Sequence, residues 1–288
     1  MDWRRYKADW PNAEASYFVS SGKHEWHIQK KGSGLSLLLL HGTGASTHSW
    51  DGLFQRLSMS YEVIAIDLPG HGFAKLGTKQ RSSLTHMAAD ILTLCHDQAI
   101  KPDVVIGHSA GAAIALELSK SVSLTGVIGI NAALSKFGGI ASWAFPVIAK
   151  FISLNPFVPN ILAGLGQNPH RVEKLIRETG SQLTATQLSR YQVLFQDRDH
   201  VEGALLMMSQ WNLERLLLNL SLLKTPTLLL AGAADGTVPP SVSRSISDKM
   251  ARASFAELPE LGHLAHEEQP DLIFQKIKSF IDAELIQT

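Results

Sequence analysis

One short run carries the clearest chemistry in the chain: Gly107-His108-Ser109-Ala110-Gly111. A serine hydroxyl is a weak nucleophile until a base takes its proton. Read as five letters, the run also suits an ordinary glycine-bearing turn. Its setting adds more. Asp103-Val104-Val105-Ile106 precedes it and a helix-like stretch over 112–119 follows. A sharp strand-to-helix turn needs small residues on either side of the serine. It lifts the Ser109 hydroxyl above the sheet and aims the Ala110 N–H at a bound substrate. A second run, His41-Gly42-Thr43-Gly44, follows Leu37-Leu38-Leu39-Leu40. Its glycines let the backbone turn outward, so the Thr43 N–H can pair with that of Ala110 around a developing oxyanion. A phosphate-binding loop is the competing reading, but neither GxGxxG nor GK[ST] is present. His41 itself reads as a hydrogen-bonded structural residue.

A general base and its orienting acid must come from elsewhere. Asp235 lies in Ala231-Gly232-Ala233-Ala234-Asp235-Gly236-Thr237-Val238-Pro239, after a late apolar run. A carboxylate there can accept a histidine N–H and stabilise the imidazolium formed in catalysis; a surface turn aspartate before glycine is the plainer alternative. His263, in Leu261-Gly262-His263-Leu264, is the preferred base, because Gly262 leaves it room to turn inward. His266 is its rival. Asn131, after the run 127–130, reads as a strand-end turn or as a hydrogen-bonding neighbour of the Ser109 loop.

These residues need a scaffold that gathers strand ends. Short apolar runs recur at 26–29, 37–40, 63–66, 104–106, 127–130, 227–230 and 254–258. Runs of this length suit strands buried on both faces. Helical spacing appears at 87–94, 112–118 and 273–281, the last after Pro270 and Asp271 at a helix start. Alternation of this kind predicts an α/β fold: a mostly parallel twisted sheet flanked by helices. It breaks off over 132–223, which reads as a helical lid inserted before the late strands. The expected organisation is therefore a core from 1–131 and 224–288, with a helical cap over 132–223.

Composition narrows the function classes. The 288 residues are 45% hydrophobic and 18% charged, which excludes a disordered chain. Lys+Arg and Asp+Glu both number 26, so no bulk attraction to nucleic acid is expected. The single cysteine, Cys95, excludes an intrachain disulfide and fits a reducing compartment. The N-terminal residues do not resemble a signal peptide. No stretch reaches the length of a membrane span; the nearest, 142–159, permits at most a peripheral contact. Histidines 24, 27, 48, 86, 96 and 170 show no metal-ligand spacing, so neither a metal nor a cofactor is expected.

The order Ser109, Asp235, His263, each member after a strand, resembles the α/β-hydrolase fold superfamily over nearly the whole chain. Asp67-Leu68-Pro69-Gly70-His71-Gly72 adds to the match as a structural loop. A narrower resemblance rests on Met1-Asp2-Trp3, on Trp10-Pro11-Asn12, on Ala45-Ser46-Thr47-His48-Ser49-Trp50, and on Ala112-Ala113 after the serine run. In these the chain resembles BchO, the family of magnesium-chelatase accessory proteins of bacteriochlorophyll synthesis. That resemblance implies a link to magnesium insertion into protoporphyrin, with chelatase subunits as partners. It implies a cytoplasmic location at the periphery of a photosynthetic membrane. Two functions are carried forward: an ester-cleaving serine hydrolase for an apolar substrate, or a non-catalytic accessory or porphyrin-binding protein. In the insertion Trp143, Phe145, Phe151, Phe157 and Trp211 are candidate lid residues for such a ligand, or part of the lid's own core. The cluster Arg190, Asp197, Arg198, Asp199, His200 and Glu202 reads as a solvated surface.

Overall fold

The computed structural model describes residues 1–135, 155 and 157–286; Trp143, Phe145 and Phe151 lie outside the described residues. Eight strands form one sheet: β1 Ser16–Ser21, β2 His24–Lys31, β3 Ser36–Leu40, β4 Glu62–Ile66, β5 Val104–His108, β6 Gly126–Ile130, β7 Thr227–Gly232 and β8 Ala253–Leu258. Their spatial order is β1-β2-β4-β3-β5-β6-β7-β8. β1 pairs antiparallel with β2, and β2 with β4; every other pairing is parallel. The predicted mostly parallel, helix-flanked sheet is therefore what the chain forms.

The central strands are continuous apolar runs because helices cover both faces. On one face Leu38, Leu40, Ile64 and Ile66 pack against Met87, Ile91 and Leu94 of the helix Leu84–Asp97 and against the helix Ala110–Leu118. On the other, Leu37, Leu39, Val104 and Ile106 meet Leu53, Phe54 and Leu57 of the helix Asp51–Leu57. Ile273, Ile277 and Ile281 of the helix Pro270–Ile286 complete that layer. The alternation of Leu37/Leu39 with Leu38/Leu40 is the period-two pattern of a strand, here apolar on both sides. Two edges depart from the sequence reading. β1 sets Tyr17, Phe18 and Val19 between serines in a partly exposed pattern and is absent from the apolar runs. β8, read as buried on both faces, is an edge strand with only Leu258 fully buried.

Between β6 and β7 stand the inserted helices Val158–Leu165, Pro169–Glu178, Ala185–Gln196, Arg198–Gln210 and Glu214–Leu218. They are not a loose flap. Thr184 and Gln187 form a reciprocal capping box, and Asp197 caps the next helix at the His200 N–H (2.9 Å). His200 and Glu202 are buried, so the mixed-charge cluster is only partly solvated surface. Arg190 reaches back to Asp51 of the core (2.7 Å). The N-terminal segment joins the same boundary. Trp3 and Trp10 set their rings edge-on to Phe73 at 4.9 and 4.8 Å, in a cluster that includes Leu194 of the insertion.

Candidate active site

The candidate residues follow the C-terminal ends of β3, β5, β6, β7 and β8. Parallel register aligns these ends: Leu40 lies opposite Gly107, His108 opposite Ile130, and Ile130 opposite Leu230. Ser109 follows β5 directly, with φ 52° and ψ −115°, a strained conformation for a residue with a side chain. Its N–H donates to the Ile130 carbonyl (2.9 Å), and its carbonyl accepts from Ala133 (3.1 Å). The strain is held by close backbone approach. A Cβ at Gly107 would lie 2.3 Å from the Gly111 carbonyl carbon, and one at Gly111 would lie 2.0 Å from the Leu40 oxygen. Only glycine fits either place.

The loop after β3 lies against this turn. A Cβ on Gly42 would sit 2.8 Å from Nδ1 of His108 and 3.0 Å from Cβ of Ser109. His41 is buried and structural, as the sequence suggests. It accepts the Leu68 N–H at Nε2 (2.9 Å) and donates from Nδ1 to the Gly42 carbonyl (2.8 Å). Asp67 holds the neighbouring loop. It bonds His27 Nδ1 (2.7 Å), the Thr47 N–H (2.6 Å) and the Phe73 N–H (2.9 Å). Among the described residues no turn, loop or side-chain hydrogen bond occupies the Thr43 or Ala110 N–H. Ala110 is the first residue of its helix, where backbone donors lack intrahelical partners.

Asp235 and His263 are joined: Nδ1 of His263 donates to Oδ2 of Asp235 at 2.8 Å. Oδ1 of Asp235 accepts the Thr237 and Val238 N–H groups at 2.7 and 2.8 Å. Burial alone would raise this carboxyl's pKa. The bond and charge of His263, the Val238 N–H and Asn131 outweigh burial and hold it below the ordinary carboxylate value. The His263 backbone is pinned at both ends. Its N–H donates to the Thr179 carbonyl (3.1 Å), and its carbonyl accepts Nε2–H of His108 (2.9 Å). The rings of His108 and His263 lie 4.9 Å apart, which places the His263 imidazole beside the turn that carries Ser109. His266, the rival, is buried against His108, and burial followed by the His263 charge pushes its pKa down to about 3. The Asp235 carboxylate is bonded to His263, and His266 has no hydrogen-bond partner on either ring nitrogen.

Two contributors, His108 and Thr179, escape the sequence reading, and the Asn131 side chain bonds the Asp235 and Gly262 loops rather than the Ser109 loop. His108 is the variable letter of the serine run, and nothing in its spacing distinguishes it. Asn131 follows β6 with φ 48°, a left-handed position that asparagine tolerates. Its amide lies 2.7 Å from Oδ2 of Asp235 and 3.3 Å from the Gly262 carbonyl. Thr179, from the insertion, accepts both the Gly236 N–H (3.0 Å) and the His263 N–H, so one carbonyl ties together the Asp235 and His263 loops. Gly180 beside it has φ +82°, and a Cβ there would lie 1.8 Å from the Ala234 oxygen.

The inserted helices approach the same end. Thr43 Oγ1 lies 3.4 Å from the Met207 sulfur. His200 accepts the Gly72 N–H at Nδ1 (3.0 Å) and donates from Nε2 to the Gly44 carbonyl (3.1 Å). An apolar cavity of about 400 Å³ opens among these helices, lined by Leu162, Val172, Phe195, Leu205 and Met208, with Arg171 at its wall. Of the two described lid candidates, Phe157 is exposed, and Trp211 is half-buried against the core cluster.

The fold is that of the α/β hydrolases. The model of the Alpha/beta hydrolase family matches residues 37–276, and the chain belongs to that family. Within it, the chain is 38% identical to the magnesium-chelatase 30 kDa subunit of Rhodobacter capsulatus, over 94% of this chain and 96% of that one. It is 26% identical to the pimeloyl-[acyl-carrier protein] methyl ester esterase of Pectobacterium atrosepticum, over 90% of this chain and 98% of that protein. Among solved structures, a thermophilic esterase from Thermogutta terrifontis superposes with a TM-score of 0.74 at 22% identity, covering 93% of this chain and 98% of its own.

Proposed function

We propose that the protein is a serine hydrolase for an ester with an apolar acyl or alkyl part, acting in or beside magnesium-porphyrin synthesis. Ser109 Oγ attacks the ester carbonyl while His263 Nε2 takes its proton. Asp235 holds the opposite ring nitrogen and offsets the imidazolium charge. The Thr43 and Ala110 N–H groups receive the negative charge that develops on the carbonyl oxygen. His263 returns the proton to the departing alkoxide as the C–O bond breaks, leaving an acyl-serine. Water, activated by the same imidazole, then releases the acid. Every proton has an acceptor among the chain's own groups, so the cycle needs no cofactor. The observation that carries the reading is the buried Asp235–His263 bond, with His263 tethered through His108 to the strained turn of Ser109. Met207 against Thr43 and the nearby cavity support an apolar substrate part, with residues 132–223 acting as its cap. A fluorophosphonate probe tests the mechanism: wild type should label and Ser109→Ala should not. Equal labelling of the two overturns it.

The 38% identity to a magnesium-chelatase subunit favours a second reading, an accessory protein that meets chelatase subunits or a porphyrin on the same fold. Replacing the gene with a Ser109→Ala allele separates the two. Loss of magnesium-porphyrin formation with a folded variant excludes a purely non-catalytic role. Unchanged formation, with protoporphyrin bound in titration, favours the accessory role. In either reading the protein works in the cytoplasm, at or near a photosynthetic membrane.

A further inference from the structure

We propose that Asn131 is a positioning residue that sets both the orientation and the charge distribution of the Asp235 carboxylate; this rests on the serine-hydrolase reading above. The side chain faces two acceptors, Oδ2 of Asp235 at 2.7 Å and the Gly262 carbonyl at 3.3 Å. Two acceptors demand a donor, so the amide nitrogen faces them. Its partner oxygen, Oδ1, is buried without a hydrogen bond. An unsatisfied buried carbonyl is a cost, and the molecule bears it at the point where the amide nitrogen meets the acid.

The backbone fixes the reach. The Asn131 N–H donates to Leu230 of β7 (2.7 Å), and its left-handed φ of 48° turns the side chain over the end of that strand. One amide therefore links the ends of β6, β7 and β8. With Asn131 in place, Oδ2 of Asp235 divides its negative charge between two donors, the amide and the imidazole. Without it, the charge falls on His263 alone, and the Gly262 carbonyl loses its tie. A neutral donor is what the place requires. A second carboxylate here, 2.7 Å from the first, would ionise only by repelling it.

The test uses p-nitrophenyl butyrate hydrolysis together with the one-dimensional proton spectrum of the His263 Nδ1–H. The leucine variant Asn131→Leu keeps the branched shape and removes the donor. It should lower kcat about tenfold, the worth of one charge-assisted hydrogen bond, with KM changed less than about twofold. The acidic limb of its pH profile should move to higher pH, and the Nδ1 proton should move downfield as that bond takes the whole charge. Asn131→Asp, once ionised, sets a second negative charge beside Asp235 and should move the acidic limb to still higher pH than Asn131→Leu does. The spectrum needs no turnover, so it keeps this proposal separate from the hydrolase reading. If wild type is inert towards the ester, the hydrolase reading fails, and the resonance alone decides the role of Asn131. A leucine variant with unchanged resonance and unchanged profile overturns it, as does a fall in rate that tracks only the folded fraction.

Discussion

Ser109 is held at φ 52° directly after β5, the conformation that the proposed nucleophile needs. The serine run was legible in sequence because glycine is the only residue that survives at 107 and 111, and the structure gives the reason in contact distances. Gly111→Ala should cost about 3 kcal/mol, because the clash is with backbone that cannot step aside. Thermal denaturation of the variant checks this, and an unchanged Tm would show that the turn relaxes. Asp235→Asn should leave the fold intact and lower kcat about ten-thousand-fold, since an amide no longer fixes the His263 tautomer. Steady-state hydrolysis of a p-nitrophenyl ester measures it. His108 and Asn131 were less legible. Their side chains act across the sheet, on partners more than 100 positions away, and no local pattern announces such a reach.

Strands and helices were legible where they are buried and ambiguous where they are not. β3 and β5 carry continuous buried apolar runs, whereas β1 holds only Tyr17-Phe18-Val19 between serines, partly exposed at the sheet edge, and leaves a weaker signal. The insertion was visible as a gap in the alternation, but its attachment was not. Tyr191 of the helix Ala185–Gln196 donates to Glu267 of the core at 2.5 Å, and Gln187 bonds the Glu267 carbonyl (2.9 Å). Burial, the leading cause, pushes the Glu267 carboxyl up to about 8 from an ordinary 4.5. The folded state therefore keeps a proton that the unfolded chain has released. The stability contributed by this group is complete below about 4.5 and lost as pH rises towards about 8. Glu267→Gln keeps an acceptor for Tyr191 and removes the titration. Wild type should lose stability relative to this variant between those limits, with a constant gap above them. Parallel denaturation curves across the whole range would contradict it.

Across the molecule, a group of buried histidines sets the opposite limit. Burial pushes His200 down to about 4 and His266 to about 3, and lowers His41, His48, His71 and His108 as well. All are neutral in the fold, while the unfolded chain takes up protons below about 6.5. Stability is therefore present above that pH and lost as pH falls towards the folded-state values. Urea titrations between pH 7 and pH 4 should show ΔG falling with a slope of more than one proton; a flat response excludes the reading. At this scale the sequence reveals the order of the parts and conceals their fastening. The succession of Ser109, Asp235 and His263 after their strands is legible in the sequence. The Thr179 carbonyl that joins the last two comes from an inserted loop with no motif of its own.

The parallel register that gathers these strand ends also fixes when they can assemble. The serine turn is synthesised early, while the imidazole belongs to the loop after the last strand to be made. Domains fold as their chain leaves the ribosome, so on the serine-hydrolase reading a growing polypeptide carries a dormant hydroxyl until residue 263 has emerged. On the serine-hydrolase reading, chains that stop short of residue 263 should therefore show no esterase activity.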